Sequence, residues 1–102
     1  MAIAFDASQK AKVASGTSLT FSHTCTGSNL MLVLGVAYQT ASDDITATYN
    51  SVSMTKSAVT ASGARDYIFT LFAPSTGANN IVISSSGAAA TIQGMSASYT
   101  GV

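Results

Sequence analysis

The segment Leu30-Met31-Leu32-Val33-Leu34-Gly35-Val36-Ala37-Tyr38 is the longest apolar run in the chain and decides its fold class. A short run of this kind fits either a core strand or a buried helix. Its length of about nine residues is close to that of a strand, and Gly35 disfavours a helix. Polar segments, residues 26–29 and 39–44, bound it on both sides. We therefore predict a central strand that is buried on both faces.

The same run is too short for a transmembrane helix, which needs about 20 apolar residues. We therefore expect no membrane insertion. At 102 residues, the chain is predicted to form a single domain spanning residues 1–102.

The composition extends the strand prediction to the whole chain. Hydrophobic residues make up 47% of it and charged residues only 8%, with no Glu and no Trp. Glu, Lys, Leu and Arg, which favour helices, are scarce, whereas Thr, Val, Ile, Tyr and Phe favour a pleated surface. The prediction is an all-β fold, an antiparallel β-sandwich of jelly-roll-like form, with about eight short strands and no substantial helix.

Alternating patterns and turn residues place the other strands on either side of the apolar run. They are predicted at Ala2–Asp6, Thr17–Thr24, Ile45–Tyr49, Val52–Thr55, Asp66–Ala73, Ile81–Ile83 and Ala89–Tyr99. Residues 7–16 fit either a loop or a ragged edge strand, and residues 57–65 are predicted to form a loop. Asn50-Ser51 is predicted to be a tight hairpin turn, because Asn tolerates a positive φ.

The charge balance limits the partners. The formal net charge is zero, and the basic residues are only Lys10, Lys12, Lys56 and Arg65. Nucleic-acid binding uses clustered Lys and Arg, so we expect no nucleic-acid partner. A nearly uncharged domain also has little electrostatic defence against self-association, so we expect a homo-oligomer or a place among other subunits.

His23 and Cys25 are the only His and the only Cys in the chain. Two residues apart on a strand, they would share one face and could supply two ligands to a metal. A structural zinc site needs about four such ligands, so we predict a buried thiol and a hydrogen-bonded imidazole, with no metal and no cofactor. With one Cys, the chain can form no internal disulfide.

Catalytic patterns are weak. The chain has no Gly-x-Ser-x-Gly motif, and four Asp without Glu give no spacing typical of glycoside cleavage. We predict that the protein is not an enzyme. Asp43 and Asp44 could form half of a calcium loop, but the remaining carboxylates, Asp6 and Asp66, show no ligand pattern, so we predict a solvated turn.

Tyrosines on all-β modules often stack on sugars or partner proteins, although burial with the hydroxyl at the rim is commoner. Tyr38 and Tyr49 flank the acidic pair Asp43-Asp44. These four residues are the predicted recognition loop.

Several segments together carry a resemblance to a known domain. They are Leu19–Asn29, the apolar run, Thr48–Thr55, Ala73–Val82 and Ser98–Val102. The chain resembles a β-rich domain of structural proteins of tailed phages and environmental viruses and of bacterial extracellular repeat proteins. Many such relatives continue with further strands, so we expect either a compact short form or half of a larger sandwich with an open edge.

The resemblance implies a non-enzymatic structural or decorating subunit of a virion capsid or tail, or of a similar extracellular assembly. Association would use sheet edges and apolar faces. The expected location is the virion or an extracellular surface, and residues 1–6 do not form the pattern of a signal peptide. The alternative is a glycan-binding β-sandwich module that uses the loop Tyr and Asp residues.

Overall fold

The computed structural model describes residues 3–39, 45–59, 65–87 and 89–102, and these residues form nine strands and no helix. The strands are β1 Ala4–Gly16, β2 Ser18–Cys25, β3 Met31–Tyr38, β4 Ile45–Tyr49, β5 Val52–Ser53, β6 Thr55–Val59, β7 Arg65–Phe72, β8 Gly77–Ser85 and β9 Ala90–Thr100. Within these ranges no helix could cross a membrane. The all-β prediction is confirmed.

The strands form two antiparallel sheets. The five-stranded sheet has the order β1-β9-β3-β7-β6, and the four-stranded sheet has the order β2-β8-β4-β5. Apolar side chains from both sheets meet in one core that includes Leu32, Leu34, Phe69, Ile81 and Ile83. The arrangement is an antiparallel β-sandwich.

Strand pairing is nested about the turn at Asn50 and Ser51. Strand β4 pairs with β5, β3 with β7, β2 with β8 and β1 with β9. The chain is thus one long hairpin, and rolling it up adds the pairs β3 with β9 and β4 with β8. This nested pairing is that of a jelly roll, with β6 as an added edge strand beside β7.

The turn at the centre of the hairpin was predicted from its sequence. Asn50 has a φ of 51° and Ser51 a φ of 63°. Positive φ at both central residues is the geometry of a type I′ turn, whose twist matches that of the flanking strands. The prediction of a hairpin with a positive φ at Asn50 is confirmed.

The apolar run forms β3, at the middle of the five-stranded sheet. Its residues alternate between fully or nearly fully buried and half-buried positions. The prediction that both faces are buried is therefore correct only for the inner face. The outer face is partly open, because the second sheet covers one side only.

The structure decides one open prediction and corrects another. Residues 7–16 belong to β1, a 13-residue edge strand with register shifts after Phe5 and after Val13, which matches the ragged-edge alternative. Strand β6 occupies part of the predicted 57–65 loop, while residues 60–64 lie outside the described residues. Its sequence, Thr55–Val59, lacks the alternation of large apolar residues that signals a strand.

Gly94 allows the two sheets to approach closely. It is buried on the inner face of β9, and a Cβ there would lie 2.8 Å from Cδ1 of Ile83 and 3.0 Å from Cε1 of Phe21. Both side chains belong to the four-stranded sheet. The missing side chain of Gly94 thus leaves the room that they fill.

Candidate functional site

A buried polar network links the two sheets beside the core. His23 on β2 is fully buried, and its Nδ1 and Nε2 atoms lie 2.7 Å from Ser96 Oγ and 2.8 Å from Ser98 Oγ. Ser96 and Ser98 lie on β9, on the inner face of the opposite sheet. Each nitrogen of the imidazole therefore has a hydroxyl partner across the sandwich.

The direction of these hydrogen bonds follows from the single hydrogen of each hydroxyl group. Ser98 Oγ donates to Asp6 Oδ2 at 2.7 Å, so it accepts from the Nε2 hydrogen of His23. The Nδ1 atom of His23 then accepts from Ser96 Oγ. A neutral imidazole satisfies every bond of the network, whereas a second proton on Nδ1 would require Ser96 to accept and to turn its own hydrogen away from His23.

The carboxylate of Asp6, at the rim of this network, accepts several hydrogen bonds. Asp6 accepts hydrogen bonds from the backbone nitrogen and the hydroxyl group of Thr26 as well as from Ser98. The bonds from Thr26, with a smaller contribution from Ser98, hold the pKa of Asp6 below its usual value. Burial lowers the pKa of His23, and the nearby charge of Asp6 offsets part of that effect.

The network does not have the geometry of a catalytic triad. In a triad the acid orients the base, and the base contacts the nucleophile. Here Asp6 contacts a serine hydroxyl, the imidazole lies between two serines, and none of the imidazole surface is exposed. A substrate cannot reach His23 in this arrangement, so the network ties the sheets together.

The pair considered for metal binding lies in the same region. Cys25 is a free, fully buried thiol near the end of β2, and both nitrogens of His23 are engaged by serines. Among the described residues, no group of three or more His, Cys, Asp or Glu could hold a metal ion.

The predicted recognition loop is described only in part. Asp43 and Asp44 lie outside the described residues. Tyr38 and Tyr49 are both fully buried. The Tyr38 hydroxyl lies 2.7 Å from Ser85 Oγ, and the Tyr49 hydroxyl donates to the Ser75 carbonyl at 3.0 Å.

These positions correct the interpretation of the two tyrosines. Burial raises the pKa of Tyr49 to about 12, and its ring meets the His23 ring edge to face at a centroid distance of 6.5 Å. Tyr38 and Tyr49 are core residues, and neither ring offers a face to a sugar or a partner protein.

A shallow depression at one end of the sandwich has no group for acid–base chemistry. Its lining includes Gly27, Leu30, Phe72, Pro74 and Val102, and no residue of the lining is titratable. It gives no catalytic candidate.

The most distinctive surface is the outer face of the five-stranded sheet. Directly opposite residues on antiparallel strands point to the same side, so the register defines rows of side chains across β1, β9, β3 and β7. We use "outer face" for four such rows: Phe5-Tyr99-Met31-Phe72, Ser8-Ala97-Val33-Thr70, Lys10-Met95-Gly35-Ile68 and Lys12-Gln93-Ala37-Asp66.

The first row of the outer face is entirely apolar or aromatic. Phe5 is 62% exposed and Phe72 is 66% exposed, at opposite ends of the row. Phe5 packs edge to face on Tyr99 with ring centroids 6.1 Å apart. Two phenyl rings thus project from a folded sheet without a covering layer.

In the third row of the outer face, a projecting side chain lies next to a position without a side chain. Met95 is 64% exposed, and its neighbour across the strand pair is Gly35, which has no side chain. A groove runs beside Gly35 between Met95 and Ile68. The fourth row is polar at its ends, with exposed Lys12 on β1 and exposed Asp66 on β7.

The opposite side of the sandwich differs sharply from the outer face. On the four-stranded sheet, the outward positions are mainly hydroxyl-bearing and uncharged. They include Ser18, Thr20, Ser22, Thr24, Thr46, Thr48 and Ser84. Apart from Val52, the large exposed apolar side chains of the strands therefore lie on the outer face.

Sequence reasoning missed both the network and the outer face as units. Ser96 and Ser98 alternate with Met95, Ala97 and Tyr99 on β9, a pattern that by itself predicts outward serines, although the structure buries them beside Ile92. Nothing in the sequence assigns His23 as their partner either, since 73 and 75 residues separate them. The rows of the outer face depend on strand order, which the sequence does not state.

No protein-family model, curated protein or solved structure matches the chain.

Proposed function

We propose that this protein is a non-enzymatic structural subunit, which associates with copies of itself or with neighbouring subunits in a larger assembly. The observation that carries the proposal is the outer face, where Phe5, Phe72 and Met95 are each more than 60% exposed on a regular sheet. Contiguous exposed apolar surface of this kind typically marks an interaction site.

Burying the outer face would contribute favourably to association, because removing apolar surface from water is worth about 25 cal/mol per Å² before the costs of binding are subtracted. The chain also lacks the charge that usually opposes association. It has four basic and four acidic residues in 102, and its formal net charge is zero. Low net charge promotes association at neutral pH.

Faces are favoured over edges as the route of association. The long edge strand β1 carries Lys10 and Lys12 and has two register shifts. Lysines and bulges at a sheet edge hinder pairing with another chain. The outer face has no such protection in its first row.

The two other functional classes have less support. A hydrolase would need an accessible base, and His23 is fully buried between two serines. Glycan recognition was based on Tyr38 and Tyr49, which lie in the core. We therefore propose no second function.

The setting that we propose is a virion capsid or tail, or a similar extracellular assembly, with this domain as a structural or decorating subunit. This part of the proposal is supported by the resemblance of the sequence to viral structural domains. The jelly-roll topology is compatible with it, since jelly rolls occur in viral capsid domains, but that topology also serves lectins and enzymes.

Sedimentation velocity over a wide concentration range would test the proposal. The chain is measured alone and then mixed with any structural proteins that neighbouring genes encode. We expect species larger than the 10.3 kDa monomer in at least one of these conditions. The proposed function would be contradicted if the chain stayed monomeric at every concentration and bound none of these structural proteins.

A further inference from the structure

We propose that a second copy of this chain binds the outer face, through a two-fold axis that runs parallel to the strands between β9 and β3. The inference rests on the proposed function and names the partner and the geometry of its interface. In a two-fold interface the same patch is used on both copies, so the patch must be complementary to itself. The register gives complementary contacts in the first row, in the Met95–Gly35 pair of the third row and at the ends of the fourth row, whereas Lys10 meets Ile68.

A two-fold axis in this position exchanges the two halves of every row. Residues on β9 meet residues on β3 of the partner copy, and residues on β1 meet residues on β7. In the first row, Phe5 meets Phe72 of the partner copy and Tyr99 meets Met31. Aromatic and apolar side chains of one copy therefore contact aromatic and apolar side chains of the other. Each of these contacts forms twice in the dimer.

The third row supplies complementary shapes. The axis places Met95 of one copy over Gly35 of the other, where the missing side chain leaves a gap. Met is an unbranched, flexible side chain that fills irregular gaps well. Each copy contributes one Met95 and one Gly35, so this contact also forms twice.

The fourth row supplies complementary charge. Lys12 and Asp66 are at its two ends, and the two-fold axis brings Lys12 of each copy to Asp66 of the other. Opposed charges at the border of an apolar patch favour one orientation over others. A copy turned end for end would instead place Lys12 and Asp66 against the aromatic first row.

The area is sufficient for a weak specific dimer. Four strands about 4.8 Å apart and four rows nearly 7 Å apart give a footprint on the order of 500 Å². That is about a tenth of the 5160 Å² total accessible surface of the chain. Two copies would bury on the order of 1000 Å², at the lower limit for specific interfaces, so we expect a dimer with micromolar or weaker affinity.

The test uses sedimentation equilibrium of the full chain and a charge exchange. Lys12→Asp and Asp66→Lys should each weaken dimerisation by roughly tenfold, since each replaces two attractive pairs with two repulsive ones. The double variant with both changes restores opposite charges and should return to within about threefold of the original affinity. Lys10→Asp makes the same charge change on the same strand, but opposite Ile68, and should have a smaller effect.

A second pair of variants tests the apolar contact. Met95→Lys should weaken dimerisation by more than tenfold, about the loss of one well-packed interface residue. Thr20→Lys, on the outward side of the four-stranded sheet, is the matched control and should leave the affinity unchanged. Thermal unfolding checks that every variant is folded. We expect all of them to fold, because the substituted positions are exposed on regular strands.

The outcomes separate this inference from the proposed function. Recovery by the double charge variant together with loss in Met95→Lys supports the dimer. If the chain self-associates but Met95→Lys has no effect, or if the double charge variant stays as weak as the single ones, this interface is wrong while the proposed function stands. If the chain stays monomeric but binds a neighbouring structural protein, the dimer interface is likewise wrong and the proposed function stands.

Discussion

The Nε2 atom of His23 lies 2.8 Å from the Oγ atom of Ser98, in a fully buried contact between the two sheets of the sandwich. The hydroxyl group of Ser98 also donates a hydrogen bond to Asp6, on the neighbouring edge strand β1. One chain of hydrogen bonds thus joins β2, β9 and β1. Buried polar groups are costly when they lose a partner, so this network should dominate the response to mutation and to pH.

Replacing Ser98 with Ala should destabilise the protein by about 1–3 kcal/mol, because the change leaves the Nε2 hydrogen of His23 without its partner. Asp6 would also lose one of its three hydrogen bonds. Urea unfolding at neutral pH measures the effect. Ser18→Ala, at an exposed position on the outward side of the four-stranded sheet, is the control and should change the stability by less than about 0.5 kcal/mol. Equal effects of the two changes would show that the network adds nothing.

Acidification should destabilise the protein below about pH 6.5. Burial lowers the pKa of His23 in the folded state, so the unfolded chain takes up the proton first. The unfolded state therefore binds more protons in this range, and the free energy of unfolding falls as the pH falls. The lowered pKa of Asp6 adds a second loss below its usual value of 3.8.

Unfolding measured from pH 8 to pH 4 checks this dependence. His23→Gln removes the titrating group while keeping hydrogen-bonding atoms, so its stability should change little between pH 7 and pH 5. The prediction fails if the variant keeps the slope of the original protein in that range.

Gly94→Ala should destabilise the protein by about 1–3 kcal/mol, as expected for an overpacked core. The new Cβ would lie 2.8 Å from Cδ1 of Ile83 and 3.0 Å from Cε1 of Phe21, so these two side chains must shift. Gly35→Ala is the matched control on the outer face, where a Cβ meets only the Met95 carbonyl oxygen, at 3.8 Å. Thermal unfolding of the two variants should differ clearly, and equal melting temperatures would contradict the close approach at Gly94.

Ser51→Gly should stabilise the protein by up to about 1 kcal/mol. Ser51 has a φ of 63°, which costs an L-residue energy that glycine avoids, and Asn-Gly is the preferred pair for this turn. Ser53→Gly, in the extended strand β5, should instead be neutral or destabilising. A loss of stability in Ser51→Gly, measured by urea unfolding, would argue against the turn geometry.

Much of the fold was predictable, because local patterns report it directly. Leu19 and Phe21 alternate with Ser and Thr, and Asn50 marks the hairpin turn. The strands that the sequence did not predict clearly have weak patterns of alternating apolar residues. Strand β1 presents small inward residues such as Ala11, and Thr55–Val59 contains little apolar bulk, so both resemble loops in sequence.

The candidate surface was not predictable, because it depends on strand order. Phe5, Met31 and Phe72 are far apart in sequence, and the strand order β1-β9-β3-β7 brings them into one row. The tyrosines show the opposite error. Tyr38 and Tyr49 border a polar loop, which suggested exposure, but the inward phase of β3 and β4 buries both rings.

Methionine methyl signals in NMR spectra, recorded while the protein is diluted, test the central claim most directly. Met95 and Met31 lie on the outer face, whereas Met54 is only 7% exposed in the core. If the outer face is the self-association surface, the Met95 and Met31 methyl signals shift with concentration and the Met54 signal stays constant. Signals of Met95 and Met31 that do not move while the protein measurably self-associates would contradict the claim.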